Sequence, residues 1–160
     1  MHDDVTILEG SGELLRRIQP LWAELRLHHA AMGHLWRDEF LASDFDKRCA
    51  GLLAKSKGGG IQVLLAVHRA SGEVGYCVST VDSERHGEID SLFVLDAFRR
   101  QGIARTMLTR AMSWLTDRDA KPIRVSILAG NDEAVKLYEQ LGFQPRTLWM
   151  QHRPAETMLE

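Results

Sequence analysis

A chain of 160 residues, 44% hydrophobic and 26% charged, has the size and balance of one globular domain with a core of its own. Its formal charge of −2 supplies no global basic field, which argues against nucleic acid or an anionic membrane as partner. No run approaches the ~20 apolar residues of a membrane span, and the opening MHDDVTILEG lacks the basic and apolar segments of a signal peptide.

Val5 to Leu8 reads as a first strand. Ser11 or Gly12 then opens a helix with Leu14, Ile18, Leu21, Trp22 and Leu25 on its inner face, and Pro20 inside that pattern should kink or divide it. His28 to Phe45 is less regular and is expected to be a helix end and a loop. His28, His29 and His34 suggest a metal, but no cysteine or carboxylate joins them at ligand spacing, so no metal is expected. A helix from Asp44 or Phe45 to Lys55 follows, ended by Lys57-Gly58-Gly59-Gly60, a hinge or turn. Ile61 to His68 and Gly72 to Val81 read as strands joined by a hairpin turn at Arg69-Ala70-Ser71-Gly72. The turn from Asp82 to Gly87 leads to a third, Glu88 to Val94. Cys49 and Cys77 fall at no metal or redox spacing and read as buried free thiols, which fits a cytoplasmic protein.

The stretch from Gly87 to Ala104, GEIDSLFVLDAFRRQGIA, organises the rest. A strand passes through a short polar loop into two arginines and a glycine. A helix then starts at once, with Ile103, Ala104, Met107, Leu108, Ala111, Met112 and Leu115 on one face. A strand, glycine turn and helix aim unpaired backbone N–H groups and the positive helix end at one point. Arg99, Arg100 and Arg105 add positive charge, so the place reads as an anion site, most simply for phosphates. Beyond the helix, Asp117 to Pro122 is a polar break. Ile123 to Leu128 is then a strand, whose crossover connection implies a parallel pair. Asn131 caps a last helix whose inner stripe is Ala134, Leu137, Tyr138 and Leu141, and Gly142 stops it.

Two of these segments carry a family resemblance. Arg99-Arg100-Gln101-Gly102-Ile103-Ala104 resembles the Arg/Gln-x-x-Gly-x-Gly/Ala pyrophosphate loop of the GNAT superfamily of N-acetyltransferases. Asn131 to Phe143 resembles the second signature of that superfamily, Asn-x-x-Ala-x-x-Leu-Tyr-x-x-x-Gly-Phe, with every fixed position present. The resemblance spans roughly Glu73 to His152. It implies a single α/β (α+β) domain over residues 1–160, with a mixed, mostly antiparallel twisted sheet of about six to seven strands. A splayed parallel pair and about four flanking helices complete that fold.

The resemblance also implies acetyl-CoA as cosubstrate and direct transfer of acetyl to a primary amine within a ternary complex. The pyrophosphate would rest on backbone N–H groups from Arg100 to Arg105, the loop as a whole comprising Arg99, Arg100, Gln101, Gly102, Ile103, Ala104 and Arg105. Backbone groups of Phe93 and Val94, freed where the strands splay, would pair with the pantetheine arm, and the Val94 N–H would face the developing oxyanion. Asn131 is a candidate cofactor contact. Tyr138 would donate to the leaving sulfur, and Glu88 holds the place of a general base; Asp90, on the same strand face, would help draw in the amine. Cys77 lies a strand away from the motif, which disfavours an acetyl-cysteine intermediate. Trp36 and Phe40, with Asp38, Glu39 and Asp44, are candidates for an acceptor wall. With Glu88 and Asp90 they would make an acidic pocket suited to a cationic or aromatic small amine. Acetylation of a protein α-amino group or lysine is the alternative, and a non-catalytic acyl-CoA-binding or interaction module is another. Dimers are common in the family, so a homodimer is an admissible assembly.

Overall fold

In the computed structural model the described residues are 4–154, apart from the side chain of His34. The leader reading at residues 1–3 and the place of His34 in the metal reading lie outside them. Four strands, β1 (Val5–Gly10), β2 (Gly60–His68), β3 (Gly72–Val81) and β4 (Gly87–Val94), pair antiparallel in chain order, and β5 (Ile123–Val125) joins β4 in parallel. Strand alternation sends Leu64, Ala66 and Cys77 to one face and Val63, Leu65, Tyr76 and Val78 to the other, and Val74, the extra residue of a β2–β3 bulge, joins the first face. Both faces are covered, which is why β2 and β3 read as nearly continuous apolar runs.

Helix α4 (Ile103–Thr116) covers the first face with Ile103, Met107, Leu108, Ala111 and Leu115, all buried. That is the 3.6-residue stripe visible in the sequence, and each of its larger side chains, Ala111 apart, contributes about 1.5–3 kcal/mol of burial. The second face is covered by a 3-10 segment, Gly12–Ile18, by α1 (Gln19–Met32) and by α3 (Phe45–Lys55), through Leu15, Ile18, Leu21, Trp22, Phe45 and Leu52. Asp44 caps α3, its carboxylate accepting from the Lys47 N–H at 2.8 Å. Helix α5 (Asp132–Glu139) brings Tyr138 into the α4-side core.

Pro20 does divide the first helical stretch: it lies in the first turn of α1, where its missing N–H has no intrahelical partner to lose. The stretch from His28 to Phe45 differs from expectation. Helix α1 continues through His28 and His29 to Met32, and α2 (Arg37–Ala42) follows. The apolar rhythm is weak there because His28 and His29 turn toward cavities rather than core, as described below. Among the described residues there are five strands against the expected six to seven. Residues 126–128, expected to extend β5, and 144–154 have no regular structure.

The shortness of β5 has a local cause. It pairs with β4 only from Gly87↔Ile123 to Ile89↔Val125. At the next residue β4 carries a bulge toward β3, with Val78 opposite Ser91 and Ser79 opposite Ile89, so that Asp90 is the extra residue. A bulge bends its strand and raises the local twist, and beyond it β4 and β5 separate. The splayed parallel pair is therefore present, and it opens at a bulge.

Candidate active site

The gap between β4 and the chain after β5 exposes one particular set of backbone groups. The Leu95 N–H donates to Val74 O at 2.9 Å, so Leu95 faces β3. Successive strand residues alternate sides, so Phe93 also faces β3, while the N–H and C=O of Leu92 and Val94 face the gap. Of the two residues expected to hold pantetheine, only Val94 thus turns its backbone to the gap. Its carbonyl already accepts from Arg99 Nε at 2.9 Å, whereas its N–H has no recorded partner among the described residues. Phe93 contributes its ring instead, which lies beneath the Arg99 guanidinium at 5.5 Å.

From this gap a cavity of about 870 Å³ runs to the start of α4. Its floor is Val94, Arg99, Arg100, Gly102, Ile103, Ala104 and Arg105, the loop expected to hold an anion. Arg100 and Gly102 both have left-handed backbones, with φ of 61° and 80°. Such alternation folds successive N–H groups into one concavity. The first turn of α4 adds its own unpaired N–H groups, since the backbone pairing begins only with Thr106 N–H to Gly102 O at 2.9 Å. No atom lies within 4 Å of where a Cβ on Gly102 would stand, so the backbone is open to close approach. Lys136 of α5 and Gln140, the residue that ends it, which no motif singled out, form the far side. Arg100 also pairs with Glu133 at 3.4 Å, Arg99 with Asp96 at 2.9 Å, and Arg105 with the Gln140 amide. Gln101 lies outside the cavity lining; its amide donates to Ala97 O at 3.2 Å.

A second cavity, about 390 Å³, opens on the other side of the gap. Leu25, His29, Leu92, Asn131 and Ala134 line both, so the two spaces meet where β4 and β5 part. Asn131 is fixed there as the α5 cap, its side-chain oxygen accepting from the Ala134 N–H at 3.2 Å. Tyr138 lies one helical turn beyond Ala134, lines the second cavity and is buried, with its ring edge-on to Phe143 at 5.4 Å. Burial, and after it the nearby Cys77 sulfur, raises its phenol far above the ordinary range, so the hydroxyl keeps its proton throughout neutral pH. His29 is pushed the opposite way, below the usual 6.5, first by burial and then by the charge of His28. At neutral pH it is therefore an uncharged imidazole, able to accept a proton. Nothing in the spacing of the histidines distinguished it, because the cavity that isolates it is formed by β4 and α5, far away in sequence.

Several other expected residues stand elsewhere. Glu88 and Asp90 do share a strand face, but Lys55 sits between them, its ammonium 2.5 Å from Glu88 and 2.6 Å from Asp90. Glu88 lines neither cavity. Asp90 lines the second, yet its side chain is only 3% exposed and its other oxygen accepts from the Thr80 hydroxyl at 2.6 Å. Phe40 lines the second cavity and packs on the His29 ring at 5.7 Å, while Trp36 lines neither and lies under the Arg153 guanidinium at 5.5 Å. Asp38, Glu39 and Asp44 are exposed and outside both cavities. The charged side chains in the wall of the second cavity are thus Arg26, Arg48 and the already paired Asp90, and of the acids expected around an acceptor only Asp90 is among them. The acids of that stretch face solvent, and the basic residues of the second cavity come from the inner sides of α1 and α3.

Cys77 lines neither cavity and is buried; burial pushes its thiol up to about 12, which leaves no thiolate for an acyl-enzyme route. Among the described residues the three groups close enough to share a cation are Asp82, Glu84 and His86, in the β3–β4 turn. Asp82 there accepts the N–H groups of Glu84 and His86 and so closes the turn.

The profile described as the Acetyltransferase (GNAT) family matches residues 26–143, well over half of the chain. Over 61 residues the chain is 39% identical to an N-alpha-acetyltransferase of Saccharolobus solfataricus, a match covering 38% of this chain and 36% of that one. The chain therefore spans about a third of the length of that curated relative. In fold it is similar to a Bacillus halodurans protein crystallised as a tetramutant, at 17% identity and TM-score 0.70 over 93% of this chain and 99% of that one. It is similar also to an aminoglycoside N-acetyltransferase solved in complex with CoA, at 17% identity and TM-score 0.62 over 94% and 95% of the two chains.

Proposed function

Because the chain belongs to the acetyltransferase (GNAT) family, we propose that it moves the acetyl group of acetyl-CoA directly to a primary amine of a small molecule, both reactants being bound at once. The observation that carries this is the pair of cavities that meet at the β4–β5 gap. The larger has a phosphate-binding floor and offers the Val94 N–H as a strand-like partner for pantetheine; the smaller receives the acceptor. Residues 100–105, Arg99, Asn131 and Lys136 hold the cofactor in this reading. The amine nitrogen attacks the thioester carbon, a C–N bond forms, and the C–S bond breaks as charge passes from oxygen to sulfur. The Val94 N–H stabilises the oxygen, Tyr138 gives its proton to the departing thiolate, and the second proton that the nitrogen sheds after attack restores the phenol.

The ammonium must first lose a proton, and we assign that step to His29 in place of Glu88. His29 lies on the wall common to both cavities and is uncharged at neutral pH, while Glu88 lines neither cavity and is occupied by Lys55. Since its imidazole is held below 6.5, the enzyme should keep its base down to a lower pH than an ordinary histidine would allow, and lose it as pH falls through that depressed value. His29→Gln should lower kcat/KM by about 10²-fold and remove one proton from the acid limb of the pH profile, whereas Glu88→Gln should leave that limb in place. An unchanged acid limb in His29→Gln would return the base to another group.

The local likeness to an N-alpha-acetyltransferase favours a second reading, transfer to the α-amino group of a protein. A panel of amines, polyamines, amino acids and peptides, read by acetyl-CoA-dependent release of free thiol, tests both. Turnover confined to peptides would replace the small-molecule reading; absence of turnover with any amine, in a protein that binds acetyl-CoA, would leave a binding module.

A further inference from the structure

We infer that the acceptor is an amine that carries its own carboxylate, the class of the α-amino acids; this rests on the acetyltransferase reading above. The basis is the charge inventory of the smaller cavity. Arg26 from α1 and Arg48 from α3 both contribute to its wall. The single carboxylate there, Asp90, has one oxygen on Lys55 and the other on Thr80, so both its oxygens are already engaged. Behind it the same Lys55 also pairs with Glu88, so these three groups keep one net negative charge against the two guanidiniums, and His29 is uncharged. What remains in the wall is positive.

The two guanidiniums are fixed but not used up. Arg26 donates from one terminal nitrogen to Leu41 O at 3.1 Å and to Ser43 O at 2.6 Å, and its plane lies 4.6 Å from the Trp22 ring. Among the described residues its Nε is buried without a hydrogen-bond partner, so the desolvation of this guanidinium is only partly compensated. Arg48 donates from one nitrogen to Asp90 O at 2.9 Å, and among the described residues its other nitrogens have no hydrogen-bond partner. A planar carboxylate is the ligand that matches such guanidinium edges, and it would place opposite charge where the wall now lacks it. A cavity of about 390 Å³ holds a molecule of amino-acid size. Polycationic amines would meet like charge on both sides.

The test compares phenylalanine, phenylalanine amide and 2-phenylethylamine as acceptors, with spermidine and a peptide of unblocked N-terminus as further arms. All are read as acetyl-CoA-dependent thiol release. Phenylalanine should exceed its amide and its decarboxylated counterpart in kcat/KM by about tenfold or more. Arg26→Gln and Arg48→Gln should each shrink that ratio by raising KM for phenylalanine, with 2-phenylethylamine little changed. Arg48→Lys, which keeps charge and limits loss of packing, should restore part of it. Equal or better use of 2-phenylethylamine, spermidine or the peptide would overturn the inference, as would a ratio indifferent to both arginines. Failure of all five acceptors while calorimetry still shows acetyl-CoA binding would overturn it and spare the cofactor reading; failure of binding itself would remove both.

Discussion

Gly102→Val should weaken acetyl-CoA binding by about 10- to 100-fold in calorimetry, equivalent to roughly 1.4–2.8 kcal/mol, while the protein remains folded. Two effects add. Gly102 sits at φ 80°, a conformation that a β-branched residue adopts only under strain. Its missing side chain also lies in the floor of the large cavity, with no atom within 4 Å of the Cβ position, so the new methyls would occupy the approach of a pyrophosphate. Gly102→Ala separates the two: it brings much of the backbone strain with a single methyl, and should cost less affinity than valine. Pantetheine alone, without the phosphates, should bind weakly to wild type and respond little to the substitution, because its contact is the Val94 N–H in the gap. A folded Gly102→Val protein that binds CoA as wild type does would contradict the assignment of this loop.

The loop and α5 were legible because their chemistry is local. A glycine at a helix start, arginines beside it and an asparagine cap at the head of a stripe are relations between near neighbours in sequence. The place of the loop in the floor of the large cavity, the Asn131 cap and the burial of Tyr138 all follow from such relations. The smaller cavity was not legible, since it joins the inner sides of α1 and α3 to the bulge in β4 and to residues 125–128. Glu88 illustrates the difficulty. Its strand face was read correctly, but Lys55, which claims its carboxylate, lies 33 positions away at the end of α3. No periodicity in either segment announces that pair. Val94 illustrates the opposite case, because one cross-strand hydrogen bond from Leu95 determines, by alternation, which backbone groups reach the gap.

Tyr138→Phe should lower turnover by about 10²- to 10⁴-fold, the usual contribution of a placed general acid, with acetyl-CoA affinity nearly unchanged. The hydroxyl matters once the sulfur gains charge, and that happens only after the cofactor is bound, so the loss belongs in kcat. The ring should stay where it is, against Phe143 and within the α4-side core. No hydrogen-bond partner is recorded for the hydroxyl among the described residues, so removing it leaves no other group orphaned and thermal stability should change little. The pH profile adds an independent readout. Burial raises the phenol well above its usual 10, so its acid form persists across the working range and should produce no alkaline limb near that value. An alkaline limb that vanished in Tyr138→Phe would therefore mean a less buried tyrosine than the structure has. Unchanged turnover, under conditions where the absence of a pre-steady-state burst shows that product release does not limit the rate, would make Tyr138 a packing residue. The thiolate would then draw its proton from water in the gap.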